Sequence, residues 1–113
     1  MASILLDVKH KIGPSEEYDY FDRDILDAIN SAFGTLTQLG VGPKEGFSIE
    51  DATTTWDEYT TDVTELNLIR DYIYKKVRVI FDPPSSSFVL NSLQDQIAEL
   101  EWRLNVQVDP KEG

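Results

Sequence analysis

The run Thr64-Glu65-Leu66-Asn67-Leu68-Ile69-Arg70-Asp71-Tyr72-Ile73-Tyr74-Lys75-Lys76-Val77-Arg78-Val79-Ile80-Phe81-Asp82-Pro83-Pro84 carries two apolar stripes at helical spacing and a double-proline stop. At about 100° per residue, Leu66, Ile69, Ile73, Val77 and Ile80 form one apolar stripe, while Leu68, Tyr72 and Val79 form a second. Only the sector of Asn67, Asp71, Lys75 and Arg78 is continuously polar, so a helix over 65–81 belongs in the middle of a bundle, with partners on most sides. Thr64 is placed to cap it. Asp82-Pro83-Pro84 ends it, because proline removes donors and blocks the preceding turn.

The helix partners lie on both sides of this run. Downstream, Ser85-Ser86-Ser87 caps a helix over 88–105, whose Val89, Leu93, Ile97, Leu100 and Leu104 supply a core stripe. Upstream, Ile25, Leu26, Ile29, Phe33, Leu36 and Leu39 keep helical spacing over 23–39. Asp22 is the expected N-cap there, and Gly40 the C-terminal residue. Gly34 inside that helix costs about 1 kcal/mol relative to alanine, a cost offset if another backbone packs closely there. Ser3 caps a shorter first helix with Ile4, Leu5, Val8 and Ile12 on one side, stopped by Gly13-Pro14. The acidic stretch from Ser15 to Tyr20 reads as a loop.

Between residues 40 and 62 the periodicity collapses. Phe47 and Ile49 alternate and Thr53 to Thr55 favour extended backbone, which fits a small β-hairpin; Thr55-Trp56-Asp57-Glu58 equally fits a capping box opening one helical turn. At the other end, Val106-Gln107-Val108-Asp109-Pro110 alternates before a proline and predicts an extended arm. The expected fold is an all-α bundle of four to five helices over residues 1–105, with a long irregular connection and a C-terminal arm over 106–113.

The 113 residues, 41% of them hydrophobic, suit a single globular domain. With no cysteine and one histidine, disulfides, thiolate metal sites, a cysteine nucleophile and multi-histidine sites are excluded. The formal charge of -11 opposes sequence-independent phosphate binding. No membrane-length apolar run occurs, and the start lacks a signal peptide's basic and apolar regions, so the chain is expected to be soluble and cytoplasmic.

No catalytic constellation assembles from the sequence, so no catalytic residue, cofactor or metal is expected. Asp22, Asp24 and Asp27 fit a helix start better than a metal site. The Gly40-x-Gly42-Pro43-x-x-Gly46 pattern follows a helix and lacks the Lys-Ser/Thr ending of a phosphate loop. Contact-forming residues are more informative. The helical wheel puts Trp102, with Phe88, far from the last helix's core stripe, where it is either an interface residue or covered by another part of the chain. Phe47, Trp56 and Tyr59 either pin the long connection to the bundle or form a second contact loop. Arg70 and Lys76 lie beside the apolar stripes and suit ion pairs between helices or subunits. Val106 and Val108 share a face of the arm and are candidates for a partner's groove or sheet edge.

Gln38-Leu39-Gly40-Val41-Gly42, Gly46-Phe47-Ser48-Ile49, Tyr72-Ile73-Tyr74-Lys75-Lys76-Val77-Arg78, Phe81-Asp82-Pro83-Pro84-Ser85-Ser86-Ser87-Phe88 and Glu99-Leu100-Glu101-Trp102-Arg103-Leu104-Asn105 resemble the head-tail connector, or adaptor, proteins of tailed phages and prophages of Gram-positive bacteria. The resemblance runs from about Ile4 to Val106. It implies a non-enzymatic virion protein of the neck, assembled in the host cytoplasm as a homo-oligomeric ring, usually a dodecamer, beneath the portal protein. Such a ring extends the DNA channel, lets DNA pass without specific binding, and docks a neck, stopper or tail-completion protein. Under this reading Trp102, Phe88, Arg103, Val106 and Val108 meet the portal or a neighbouring subunit, and Phe47, Trp56 and Tyr59 the tail side or a neighbour. The alternative is a small acidic phage-encoded regulator that mimics DNA or inhibits a host factor.

Overall fold

In the computed structural model, residues 3–13, 20–60, 63–81 and 83–112 are described, without the side chains of Val63 and 107–112. They form four helices, α1 (Ile4–Ile12), α2 (Asp22–Gln38), α3 (Val63–Phe81) and α4 (Ser87–Glu112), with one 3₁₀ turn, Trp56–Glu58, before α3. As its two stripes require, α3 is central: α1, α2 and α4 all pack against it. Leu66, Ile69, Tyr72, Ile73 and Val77 are buried, against Ile25, Ile29, Phe33 and Leu36 of α2 and Leu93, Ile97, Leu100 and Leu104 of α4 in one core. Burying each such side chain contributes about 1.5–3 kcal/mol.

The helix ends follow local chemistry. Ser3 Oγ accepts from the Leu6 N–H at 3.3 Å, and Ser86 Oγ from the Val89 N–H at 3.4 Å. Gly40, at φ 85°, closes α2: its N–H donates to Thr37 O at 3.0 Å and the Val41 N–H to Leu36 O at 2.9 Å, satisfying two carbonyls of the last turn. Asp22 is not the N-cap. It is the first helical residue, and its carboxylate lies 2.8 Å from the ammonium of Lys9, a fully buried lysine of α1. A buried cation left unpaired costs several kcal/mol, a stronger demand on the carboxylate than an exposed cap.

No hairpin forms in the long connection; the capping box does. The Thr55 N–H donates to Glu58 Oε2 at 2.8 Å and opens the 3₁₀ turn, while Ser3 and Thr55 form one isolated antiparallel bridge. Asn30 of α2 holds the middle of the connection, donating to Ile49 O at 2.9 Å and accepting from the Ile49 N–H at 2.8 Å. The C-terminal arm is also corrected: α4 continues as helix through residue 112. Extending a formed helix fixes one residue per bond and skips the unfavourable nucleus, no glycine or proline stands between Asn105 and Asp109, and Pro110 falls in the last turn, where its missing donor costs a single bond. The loop expected over 15–19 and the turn residue Asp82 lie outside the described residues.

Asp7 joins three elements. Its Oδ2 accepts from Trp56 Nε1 at 2.8 Å and from the Tyr74 hydroxyl at 2.5 Å, and lies 2.8 Å from an Arg70 guanidinium nitrogen. Arg70 in turn donates to the Tyr74 oxygen at 3.2 Å and stacks over the Trp56 ring. Asp7→Ala strips the acceptor from all three groups and is expected to destabilise the fold by about 3 kcal/mol, with Asp7→Asn intermediate. Urea unfolding measures this, and an alanine variant within about 0.5 kcal/mol of wild type would contradict the role assigned to the network. Gly34 has no close backbone against it: a Cβ there meets nothing within 4 Å. Gly34→Ala is therefore expected to stabilise by about 1 kcal/mol and raise the melting temperature, whereas an unchanged or lower value would show a constraint at this position.

Candidate interaction surfaces

Trp102 is 67% exposed and Phe88 81%, both on the outward side of α4. Fourteen residues apart, they share one face at helical periodicity, about 21 Å apart along the axis. Val106, one turn beyond Trp102 and 39% exposed, extends this face. Arg103 reaches Glu99 at 3.9 Å, an exposed pair worth little to stability, so its guanidinium remains available for an external partner. The side chain of Val108 lies outside the described residues.

The aromatic group of the connection points inward. Trp56 is fully buried and Tyr59 nearly so, while Phe47 is half-buried with its ring 5.0 Å from both Phe33 and Tyr59. These three residues therefore do not form a contact loop. Large apolar side chains in a polar stretch are drawn to the nearest core, and here that core lies under the connection. Gly42 makes room for Tyr59: at φ 83°, a Cβ on Gly42 would come within 2.5 Å of the tyrosine oxygen.

Arg70 and Lys76 pair between helices, as their position beside the stripes suggests. Arg70 meets Asp7 of α1, and Lys76 lies 3.9 Å from Glu101 of α4, which also accepts from the buried Tyr72 hydroxyl at 2.8 Å. His10 is exposed. Among the described residues no group of three or more histidine, cysteine, aspartate or glutamate side chains is arranged to hold a metal ion.

Two surface features escaped the helical wheel. Ile80 and Val89, assigned to core stripes by period, are 55% and 45% exposed; each lies within one turn of a helix end, Ile80 next to the last residue of α3 and Val89 in the first turn of α4. Ile80 sits with Phe81 beside Asp24 and Asp27 of α2. Val89 borders a groove of about 370 Å³ between α1, α3 and α4 that also gathers Lys11, Lys75 and Arg78. The wheel puts Lys75 and Arg78 in one polar sector of α3; only tertiary packing brings Lys11 of α1 to them.

Comparison with known proteins supplies one match. The family model described as Phage connector protein matches residues 4–111. No curated protein and no solved structure gives a significant match.

The tyrosine hydroxyls report how these surfaces rest on the core. Burial, then the bond to Asp7, pushes Tyr74 up to about 12, and burial raises Tyr59 and Tyr72 further, helped by Glu65 and Glu101 respectively. Each ionises at higher pH folded than its ordinary value of 10.0, so the stabilisation is complete below pH 10.0 and is lost as pH rises through the folded values. The melting temperature is accordingly expected to stay level to about pH 9 with respect to these groups and to fall above about pH 10, together with a jump in phenolate absorbance. Phenolate absorbance from more than two of the five tyrosines rising well below the unfolding transition would place these hydroxyls in solvent.

Proposed function

Because the chain belongs to the phage connector protein family, we propose that it is a non-enzymatic head-tail adaptor of the virion neck, forming a ring beneath the portal protein. The observation that carries this reading is the family match, which spans α1 to α4 and so covers the whole architecture and not one motif. The ring extends the DNA channel and presents a docking surface to the next neck or tail component.

The physical properties of the molecule support the role. A charge of -11 makes a channel wall that repels phosphate, within a screening length of about 8 Å at physiological salt, so that DNA passes without sticking. Among the described residues no helix is long and apolar enough to cross a membrane. The α4 face of Phe88, Trp102, Arg103 and Val106 is the proposed contact with the portal or with a neighbouring subunit. Tryptophan on a rigid helix supplies a large contact area at low entropic cost.

Light scattering of the purified protein, alone and mixed with its portal, tests the reading directly. A stoichiometric ring on the portal supports it, while a monomer that ignores an assembled portal and binds a basic host factor would replace it with a regulatory role. Within this reading, Trp102→Ala is expected to leave the unfolding free energy within about 0.5 kcal/mol of wild type and to weaken ring or portal assembly by about tenfold or more. Unchanged assembly would move the contact off this face.

A further inference from the structure

We infer that neighbouring copies of this chain join head to tail, the acidic edge of α2 on one copy seating in the basic groove between α1, α3 and α4 of the next. The inference rests on the ring reading and specifies the contact that closes the ring.

The groove is unusual for so acidic a chain. Three of the ten basic residues, Lys11, Lys75 and Arg78, line it against one acid, Asp71. Lys75 is held by Asp71 at 2.7 Å, which leaves Lys11 and Arg78 exposed and without an ion-pair partner among the described residues. Lys11 instead lies 5.4 Å from the centre of the Tyr74 ring. Both cations are in the last turns of their helices, where the macrodipole favours positive charge. The dipole accounts for a cation on each helix; it does not account for their convergence, with half-exposed Val89, on one concavity.

The complement lies on the same molecule. Asp24 and Asp27 are exposed on one edge of α2, beside the apolar surface of Ile80. Ile80 and Arg78 are two residues apart on α3 and so point about 200° apart around it. The acidic edge and the basic groove therefore flank opposite sides of the central helix. Complementary patches on opposite sides of one chain cannot satisfy each other within it. Between copies they make a heterologous contact, which generates a closed ring when the rotation per subunit divides a full turn. The apolar components match as well, Ile80 on one side and Val89 on the other, so the charged contact carries an apolar centre.

Charge reversal tests the pairing in the full chain. Lys11→Glu with Arg78→Glu, and separately Asp24→Lys with Asp27→Lys, are each expected to weaken self-association by about tenfold or more, read by sedimentation over a concentration series with and without portal. Helical circular dichroism should be retained, since all four side chains are exposed. Mixing the two variants, or combining all four substitutions in one chain, should restore assembly. Wild-type assembly that survives either reversal, or variants that fail to rescue each other, would overturn this contact and leave the ring standing. A wild-type chain that stays monomeric alone and on the portal removes the ring itself. If the groove reversal abolishes retention of a duplex DNA oligonucleotide while assembly is unchanged, the groove is a phosphate site and this pairing is wrong.

Discussion

The fold turns on a carboxylate that is 12% exposed. Asp7 takes donors from the indole of Trp56, the hydroxyl of Tyr74 and the guanidinium of Arg70, and so fastens α1, the 3₁₀ turn and α3 at one point. The arrangement is internally consistent. Tyr74 donates to Asp7 and accepts from Arg70, and the cation supplies charge to a carboxylate withdrawn from most of its water. A short first helix of nine residues is marginal by itself. It persists because its apolar side enters the core and two of its charged side chains tie it to separate helices, Asp7 to α3 and Lys9 to Asp22 of α2.

The same network explains the inward turn of the long connection. Trp56 is fully buried, and its one polar atom needs an acceptor; Asp7 provides it 49 residues away in sequence. Phe47 and Tyr59 follow Trp56 into the gap between the connection and α2, with Asn30 holding the backbone at Ile49. What remains on the surface is then set by the helices. The exposed aromatic side chains of α4 stand on a rigid element whose opposite side is packed into the core, the condition under which an exposed tryptophan makes a defined contact.

Elements governed by short-range periodicity were legible in the sequence. The two stripes between Leu66 and Ile80 place α3 at the centre, Gly40 marks the end of α2, and Trp102 falls on the outward side of α4. What escaped depends on long-range pairing or on how far the terminal turns of a helix are covered. Nothing in the local pattern links Asp7 to Tyr74, 67 residues later. Nor does it show that Lys9 is buried and paired with Asp22 of the next helix. Ile80 and Val89 obey the helical period yet are about half exposed, since period gives direction and not whether a terminal turn is covered. The alternation from Val106 to Val108 before Pro110 suggests an extended arm only when taken apart from the helix preceding it, which meets no glycine or proline between Asn105 and Asp109 and carries Pro110 in its last turn.

The anchoring of α1 also bears on the surface. Lys11 lies four residues after Asp7, on the same face of α1 and one turn further along. The carboxylate that fastens α1 to α3 therefore sets how far Lys11 stands from Lys75 and Arg78 across the groove. Tyr74 completes the linkage, since its hydroxyl is bound to Asp7 while its ring lies beneath the Lys11 ammonium. A buried interaction that fastens the smallest helix thus also spaces the charges of an exposed surface. Core and contact surface are coupled through one side chain, so substitutions at Asp7 act on both.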